Sequence, residues 1–203
     1  MPGDIDVPDD VSDGIEQTFW LKTMTASNDI TMIPAWVDGT LQPVEKLAAH
    51  LQGLRHKAVS VFVVKGDALL IQQRALGKYH TPGLWANTCC THPHWGEAAL
   101  DCALRRLDEE MGITGLHLSP RGQIEYRARV GDDMIEHEVV DVFFAEASDD
   151  LSIAPHPDEV MNFEWIALDA LSAEFTASEG RFVPWLKIYM EEHRAQIFSD
   201  QPE

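Results

Sequence analysis

Cysteine is scarce, with three among 203 residues and two of them adjacent. That number excludes a disulfide framework and fits reduced thiols in the cytoplasm. Basic residues are also few, 15 against 34 acidic ones, for a formal net charge of −19. Such a field repels polyanions, so nucleic acid or an anionic membrane is excluded as the main partner. An anionic small molecule would need a local basic site built against that background. No apolar run reaches the ~20 residues a membrane-spanning helix requires. The N-terminus lacks the basic-then-apolar layout of a signal peptide, and no repeats or low-complexity segments interrupt the chain. What is present is a chain with 45% hydrophobic residues, long enough to bury a core without staples. It carries no signal for oligomeric state and is compatible with a monomer.

Residues 1–17 are acidic and rich in Pro, Gly and Asp, the composition of a flexible tail, which leaves 18–203 as a single domain. TMIPAWVDG (31–39) reads as a strand closing in an Asp-Gly turn, and residues 41–56 as a short helix with Val44, Leu47, Ala48 and Leu51 at helical spacing. KAVSVFVV, a Gly66-Asp67 turn and ALLIQQR read as a hairpin, followed by a loop that places Arg74 and Lys78 four residues apart. A second hairpin joins GQIEYRARV to MIEHEVVDVFFAE, and alternation puts Glu136 and Glu138 on one face with His137 on the other. A further strand, a helix from Asp169 and a C-terminal helix over 181–195 opened by Pro184 complete the reading. This is an α/β (α+β) domain, mostly antiparallel strands with flanking helices.

The chemistry concentrates between Pro82 and Ile113, which hold two adjacent cysteines, two histidines, two tryptophans and an amphipathic helix. The helix is expected to begin near Glu97, bury Leu100, Ala103, Leu104, Leu107 and Met111, and stop at Gly112. Arg106 then stacks on Glu110, and Arg105 on Glu109. Thr91-x5-Glu97-x7-Arg105-Arg106-Leu107-x-Glu109-Glu110-x-Gly112-Ile113 resembles the Nudix box, G-x5-E-x7-R-E-U-x-E-E-x-G-U with U aliphatic. Thr91 stands where the box has Gly, and Arg106 where it has Glu. The box carboxylates gather divalent metal that grips a diphosphate. Arg106 removes one such ligand and adds a phosphate-binding cation, which favours holding a diphosphate over hydrolysing it.

From His50 to Trp185 the chain resembles type I isopentenyl diphosphate isomerase, a Nudix-fold enzyme. EKLAAH (45–50) and RH (55–56) match the first two histidine ligands, RALGK (74–78) the diphosphate loop, and PGLWANTCCTHPHWGE the region with the catalytic cysteine and third histidine. EHEV (136–139) matches the E-x-E pair, Tyr126 the active-site tyrosine and Trp185 the tryptophan facing the hydrocarbon. The resemblance implies Cys90 and Glu138 as the acid/base pair, assisted by Tyr126, with Trp185 stabilising a carbocation. Cys89 falls on an ordinary position, and Cys102 is expected in the core. Three imidazoles and two carboxylates, His50, His56, His92, Glu136 and Glu138, would hold one divalent metal, with Zn, Mn and Mg all compatible. Glu110, with the Cys90 main-chain carbonyl, is implied to bind the Mg that accompanies the substrate diphosphate. Arg74, Lys78 and Arg106, with Lys46 beside them, would bind the diphosphate itself. The activity implied is conversion of isopentenyl to dimethylallyl diphosphate in isoprenoid biosynthesis. Two other readings compete: a Nudix pyrophosphohydrolase of a nucleoside diphosphate derivative, and a non-catalytic sensing module built on Cys89-Cys90 and the histidines.

Overall fold

In the computed structural model, which describes residues 31–131 and 133–199, strand β3 (His56–Lys65) is the axis. The acidic tail expected at 1–17, with residues 18–30, lies outside the described residues. In chain order the elements are β1 (Met32–Val37), β2 (Thr40–Glu45), α1 (Lys46–Gln52), β3, β4 (Ala68–Arg74), β5 (Trp85–Asn87), β6 (Cys89–Thr91) and α2 (Ala99–Met111). They continue with β7 (Ser119–Val130), β8 (Met134–Glu146), β9 (Val160–Ala167), α3 (Leu168–Ala177), α4 (Pro184–Glu192) and α5 (Arg194–Phe198).

β3 touches β1, β4, β6 and β8, and of the strand pairs among the described residues only β3–β8 is parallel. The run AVSVFVV on β3 is buried on both faces, so its two parities feed two cores. Ala58, Phe62 and Val64 pack under α3, α4 and α5 with Leu171, Trp185, Leu186, Tyr189 and Ile197. Val59, Val61 and Val63 pack against α2 with Cys102, Ala103, Leu107 and Met111. The sheet is thereby sandwiched between helices, as the sequence pattern predicts.

Four local expectations are corrected. Residues 41–45 are strand, because the Asp38-Gly39 turn (φ 50° and 77°) closes β1 on β2 from Val37↔Thr40 to Met32↔Glu45. The helix starts only after Glu45, whose carboxylate accepts from the Leu47 and Ala48 amides at 2.9 and 2.7 Å. It buries Ala49 and His50 and leaves Leu47 and Leu51 exposed. In α2, which starts at Ala99, Leu100 and Leu104 face outward, and Cys102 and Glu110 take buried positions. The C-terminal helix breaks at His193 (φ −126°, ψ 9°) into α4 and α5. The short strands β5 and β6, which the sequence pattern does not reveal, carry Asn87, Cys89 and Cys90.

Gly112 ends α2 in the left-handed region at φ 62°, and a Cβ there would meet the Ala154 carbonyl oxygen at 2.5 Å. Gly112→Ala is expected to cost about 2 kcal/mol or more of stability. A lowered urea midpoint at unchanged m-value is the check.

Candidate functional site

Strand register brings the site residues together. His56 on β3 pairs with Glu138 on β8, and Glu138 pairs in turn with Tyr126 on β7. Four residues on along β3, Ser60 pairs with Cys90 on β6. Since side chains alternate, His56 and Ser60 share one face, as do Glu136 and Glu138.

His50, His56, His92, Glu136 and Glu138 each offer a ligand atom, all within 4.8 Å of one another and all buried. The local chain orients two of the rings: Nδ1 of His50 lies 2.6 Å from the Lys46 carbonyl, and Nδ1 of His56 2.7 Å from the Leu54 carbonyl. A carbonyl only accepts, so these Nδ1 atoms carry a proton and each Nε2 is turned toward the cluster. His50 Nε2 is 3.1 Å from Glu136 Oε2, and His92 Nε2 is 2.9 Å from Glu138 Oε1. No well-formed hydrogen bond satisfies Nε2 of His50, His56 or His92, or Oε2 of Glu136. Buried polar atoms are rarely left so, and an N3O2 set of this kind fits a divalent cation. The pull for positive charge is also visible on His56: burial alone would lower its pKa, but Glu136 and Glu138 outweigh that and raise it to about 10. Burial would likewise raise Glu138, yet His56 and His92 hold it well below the usual carboxylate range.

Beside the cluster lies a cavity lined by Cys90, Tyr126, Glu136, Glu138, His92, Trp185 and Glu110, together with Lys46, Arg74, Lys78 and Arg106. Every candidate binding or acid/base residue read from the sequence is on this wall; His50 and His56 are buried and do not line it. Cys90 Sγ donates to Asn87 Oδ1 at 2.8 Å and lies 3.1 Å from Ser60 Oγ. Burial pushes its pKa up to about 12, so the thiol is neutral near pH 7. Tyr126 donates to Glu138 Oε2 at 2.5 Å, while Oε1 of the same carboxylate faces the histidines. Trp185 is buried, with the Arg74 guanidinium 5.6 Å from its ring centroid.

The cationic end is braced by the protein's own acids. Arg106 donates to Glu110 Oε1 at 2.6 Å and to Glu109 Oε2 at 3.0 Å, and Lys78 pairs with Glu159. Arg105 grips Glu97 with two bonds of 2.7 and 2.8 Å. Of the box carboxylates, only Glu110 therefore reaches the cavity.

Several residues escape sequence reasoning. His80 lines the cavity with Nε2 3.1 Å from Glu136 Oε1, and burial drops its pKa to about 2, keeping the ring neutral. Its neutral ring can donate to the oxygen of Glu136 that faces away from His50. Tyr79 and Glu159 are further additions. A lone histidine in a loop carries no periodic signal; its nearness to the RALGK segment is the only hint.

Residues 54–186 match the NUDIX domain family. The chain is 64% identical over 167 residues to the isopentenyl-diphosphate Delta-isomerase of Rhodobacter capsulatus, covering 82% of this chain and 95% of that protein. To the enzyme of the same name from Roseobacter denitrificans it is 62% identical over 169 residues, covering 83% and 96%. Among solved structures it resembles DR0079 from Deinococcus radiodurans, with a TM-score of 0.64 at 14% identity, covering 79% of this chain and 97% of that one. That likeness speaks for the fold alone.

Proposed function

The chain belongs to the type I isopentenyl-diphosphate Delta-isomerases of the Nudix superfamily, and on that footing we propose that it converts isopentenyl diphosphate to dimethylallyl diphosphate by two proton transfers. The observation that carries the mechanism is one cavity in which Cys90, Glu138, Tyr126 and Trp185 stand beside four cations. A 1,3-allylic shift needs a proton delivered to an unactivated double bond and another removed from the far end of the allylic unit. Two acid/base groups on a dry pocket supply this. Cys90, a neutral thiol, and Glu138, an ionised carboxylate sharing a proton bridge with Tyr126, are the pair assigned. The Trp185 ring offers a carbocation a stabilising face worth about 2 kcal/mol once desolvated.

A divalent ion held by His50, His56, His92, Glu136 and Glu138 would supply the positive charge that fixes the Glu138 carboxylate in place. Glu110 is assigned, with the Cys90 main-chain carbonyl, to the Mg that accompanies the diphosphate. Arg74, Lys78, Arg106 and Lys46 bind the diphosphate, and that remote binding energy holds the small uncharged end in position. Arg106 also argues against hydrolysis: it stands where the box has a carboxylate and engages a second one, Glu109, so the carboxylate set of a multi-metal Nudix site is not assembled. We place the enzyme in the cytoplasm, where its three free thiols stay reduced. Among the described residues no helix is long and apolar enough to cross a membrane.

Burial, then the neighbouring Lys78 and Arg106, lowers the pKa of Lys46 to about 8. A lysine is cationic below its pKa, so kcat/KM, which reports the free enzyme, is expected to fall as pH rises through about 8. Lys46→Arg should flatten that limb; an unchanged profile would remove Lys46 from the binding set.

Proton and phosphorus NMR of isopentenyl diphosphate incubated with the enzyme and Mg tests the activity. Allylic product with its diphosphate intact is expected, and released phosphate without allylic product would restore the hydrolase reading.

A further inference from the structure

Two of the four cations assigned to the diphosphate already share a carboxylate. For a site that must attract an anion, Coulomb's law alone would leave that carboxylate out. Glu159 lies immediately before β9 and is half-buried. It gives one oxygen to each cation: Oε2 pairs with Lys78 Nζ, and Oε1 is 3.3 Å from Arg106 Nη2. Burial would raise its pKa, but Lys78 and then Arg106 outweigh that and hold it below the usual carboxylate range.

The main chain around Glu159 is tied to the same two elements as its side chain. The Ala75 amide, in the loop that carries Lys78, donates to the Glu159 carbonyl at 2.9 Å. At the end of α2, which carries Arg106, the Glu110 carbonyl accepts from the His156 amide at 3.0 Å and the Met111 carbonyl from the Ala154 amide at 2.8 Å. The Glu159 amide closes the bridge on the His156 carbonyl at 3.0 Å. Residues 154–159 therefore join the cationic loop to the cationic helix, with Glu159 at the junction. Lys78 and Arg106 carry like charge on separate elements, and repulsion drives their heads apart. A shared carboxylate reverses this and brings both heads to a span that two oxygens of one phosphoryl group also cover. Glu159 itself lines the recess adjoining the substrate cavity, not the cavity, while Lys46, Lys78 and Arg106 line both.

We propose that Glu159 is a positioning residue, which holds Lys78 and Arg106 together so that both meet one phosphoryl group of the substrate diphosphate. It stays in place when the substrate enters. Long side chains ordered before binding lose less freedom on binding, an effect of about two- to tenfold in affinity for each. The carboxylate thus gives up some attraction for the anion and gains a fixed grip on it.

The proposal rests on the isomerase reading, and inorganic pyrophosphate with Mg separates the two. Glu159→Gln keeps the size and the main-chain bonds but leaves one accepting oxygen, so only one cation stays held. Calorimetric titration is expected to show pyrophosphate affinity lowered about tenfold. KM for isopentenyl diphosphate should rise by a similar factor with kcat within about twofold of the parent. Charge alone predicts the opposite sign, because the variant loses a negative charge beside the anion. Glu159→Asp keeps the charge but retracts it by one methylene; it should also weaken pyrophosphate binding, and it serves where the Gln variant does not fold. In a Lys78→Met background the amide oxygen suffices for Arg106, so adding Glu159→Gln should cost less than about twofold. Unchanged or tighter pyrophosphate binding in Glu159→Gln, parental affinity in Glu159→Asp, the full loss in the Lys78→Met background, or a fall in kcat alone would each overturn the proposal. No allylic product from the parent enzyme, with the pyrophosphate affinities ordered as expected, would instead defeat the isomerase reading and leave the role of Glu159 standing.

Discussion

Cys90→Ala is expected to lower kcat by about 10³-fold or more, while affinity for inorganic pyrophosphate and metal content stay at parental values. The thiol makes no hydrogen bond to His50, His56, His92, Glu136 or Glu138. Its bonds run to Asn87 and Ser60 and to none of the four cations. Removing it takes away one of two proton-transfer groups and leaves the diphosphate contacts whole. Loss of a transition-state group without loss of ground-state binding appears as kcat alone. The neighbouring Cys89 is the internal control: it is fully buried in the core beside α2. Cys89→Ala should therefore cost stability and spare turnover. Near-normal activity in Cys90→Ala would remove the thiol from the mechanism.

Glu138→Gln is expected to damage two properties at once. The carboxylate serves two partners through different oxygens, Oε2 for Tyr126 and Oε1 for His56 and His92. The amide cannot take up a proton, so kcat should drop by about 10³-fold or more. It also removes one negative charge from the N3O2 set, so metal retention should weaken at least about 10-fold. Metal analysis after dialysis against a chelator distinguishes this variant from Cys90→Ala, which keeps its metal. A Glu138→Gln enzyme that retains its metal yet fails to turn over would confine Glu138 to proton transfer.

Much of this site was legible in the sequence because its parts carry local signatures. The E-x-E alternation of Glu136 and Glu138 survives on β8, and both carboxylates are buried on one face as period two requires. The helical spacing of Arg106 and Glu110 likewise survives as a 2.6 Å ion pair. What the sequence hid depends on non-local register. Nothing local says that β3 and β8 run parallel, yet that pairing sets His56 beside Glu138. Nor does apolar periodicity say which face of α2 meets the sheet: a stripe including Leu100 and Leu104 fits as well as the observed one through Cys102, Ala103, Leu107 and Met111. Residues 41–45 went to strand because hairpin closure at Asp38-Gly39 outweighs weak helical spacing. Ser60 did leave a trace, as the one hydroxyl in an apolar strand at the same parity as His56. His80 left only its nearness to RALGK, because its place beside Glu136 follows from a loop path fixed by Arg74 bonds of 3.2 and 3.1 Å to the Thr81 and His80 carbonyls.

The central claim is that enzyme groups, two of them, move the protons. It is tested most directly by one turnover of isopentenyl diphosphate on excess enzyme fully exchanged into heavy water with Mg. The predicted product is dimethylallyl diphosphate with one deuterium in the newly formed methyl group, because that proton comes from an exchanged enzyme group. Product free of deuterium would mean that hydrogen passes within the substrate itself, and would contradict the roles given to Cys90 and Glu138.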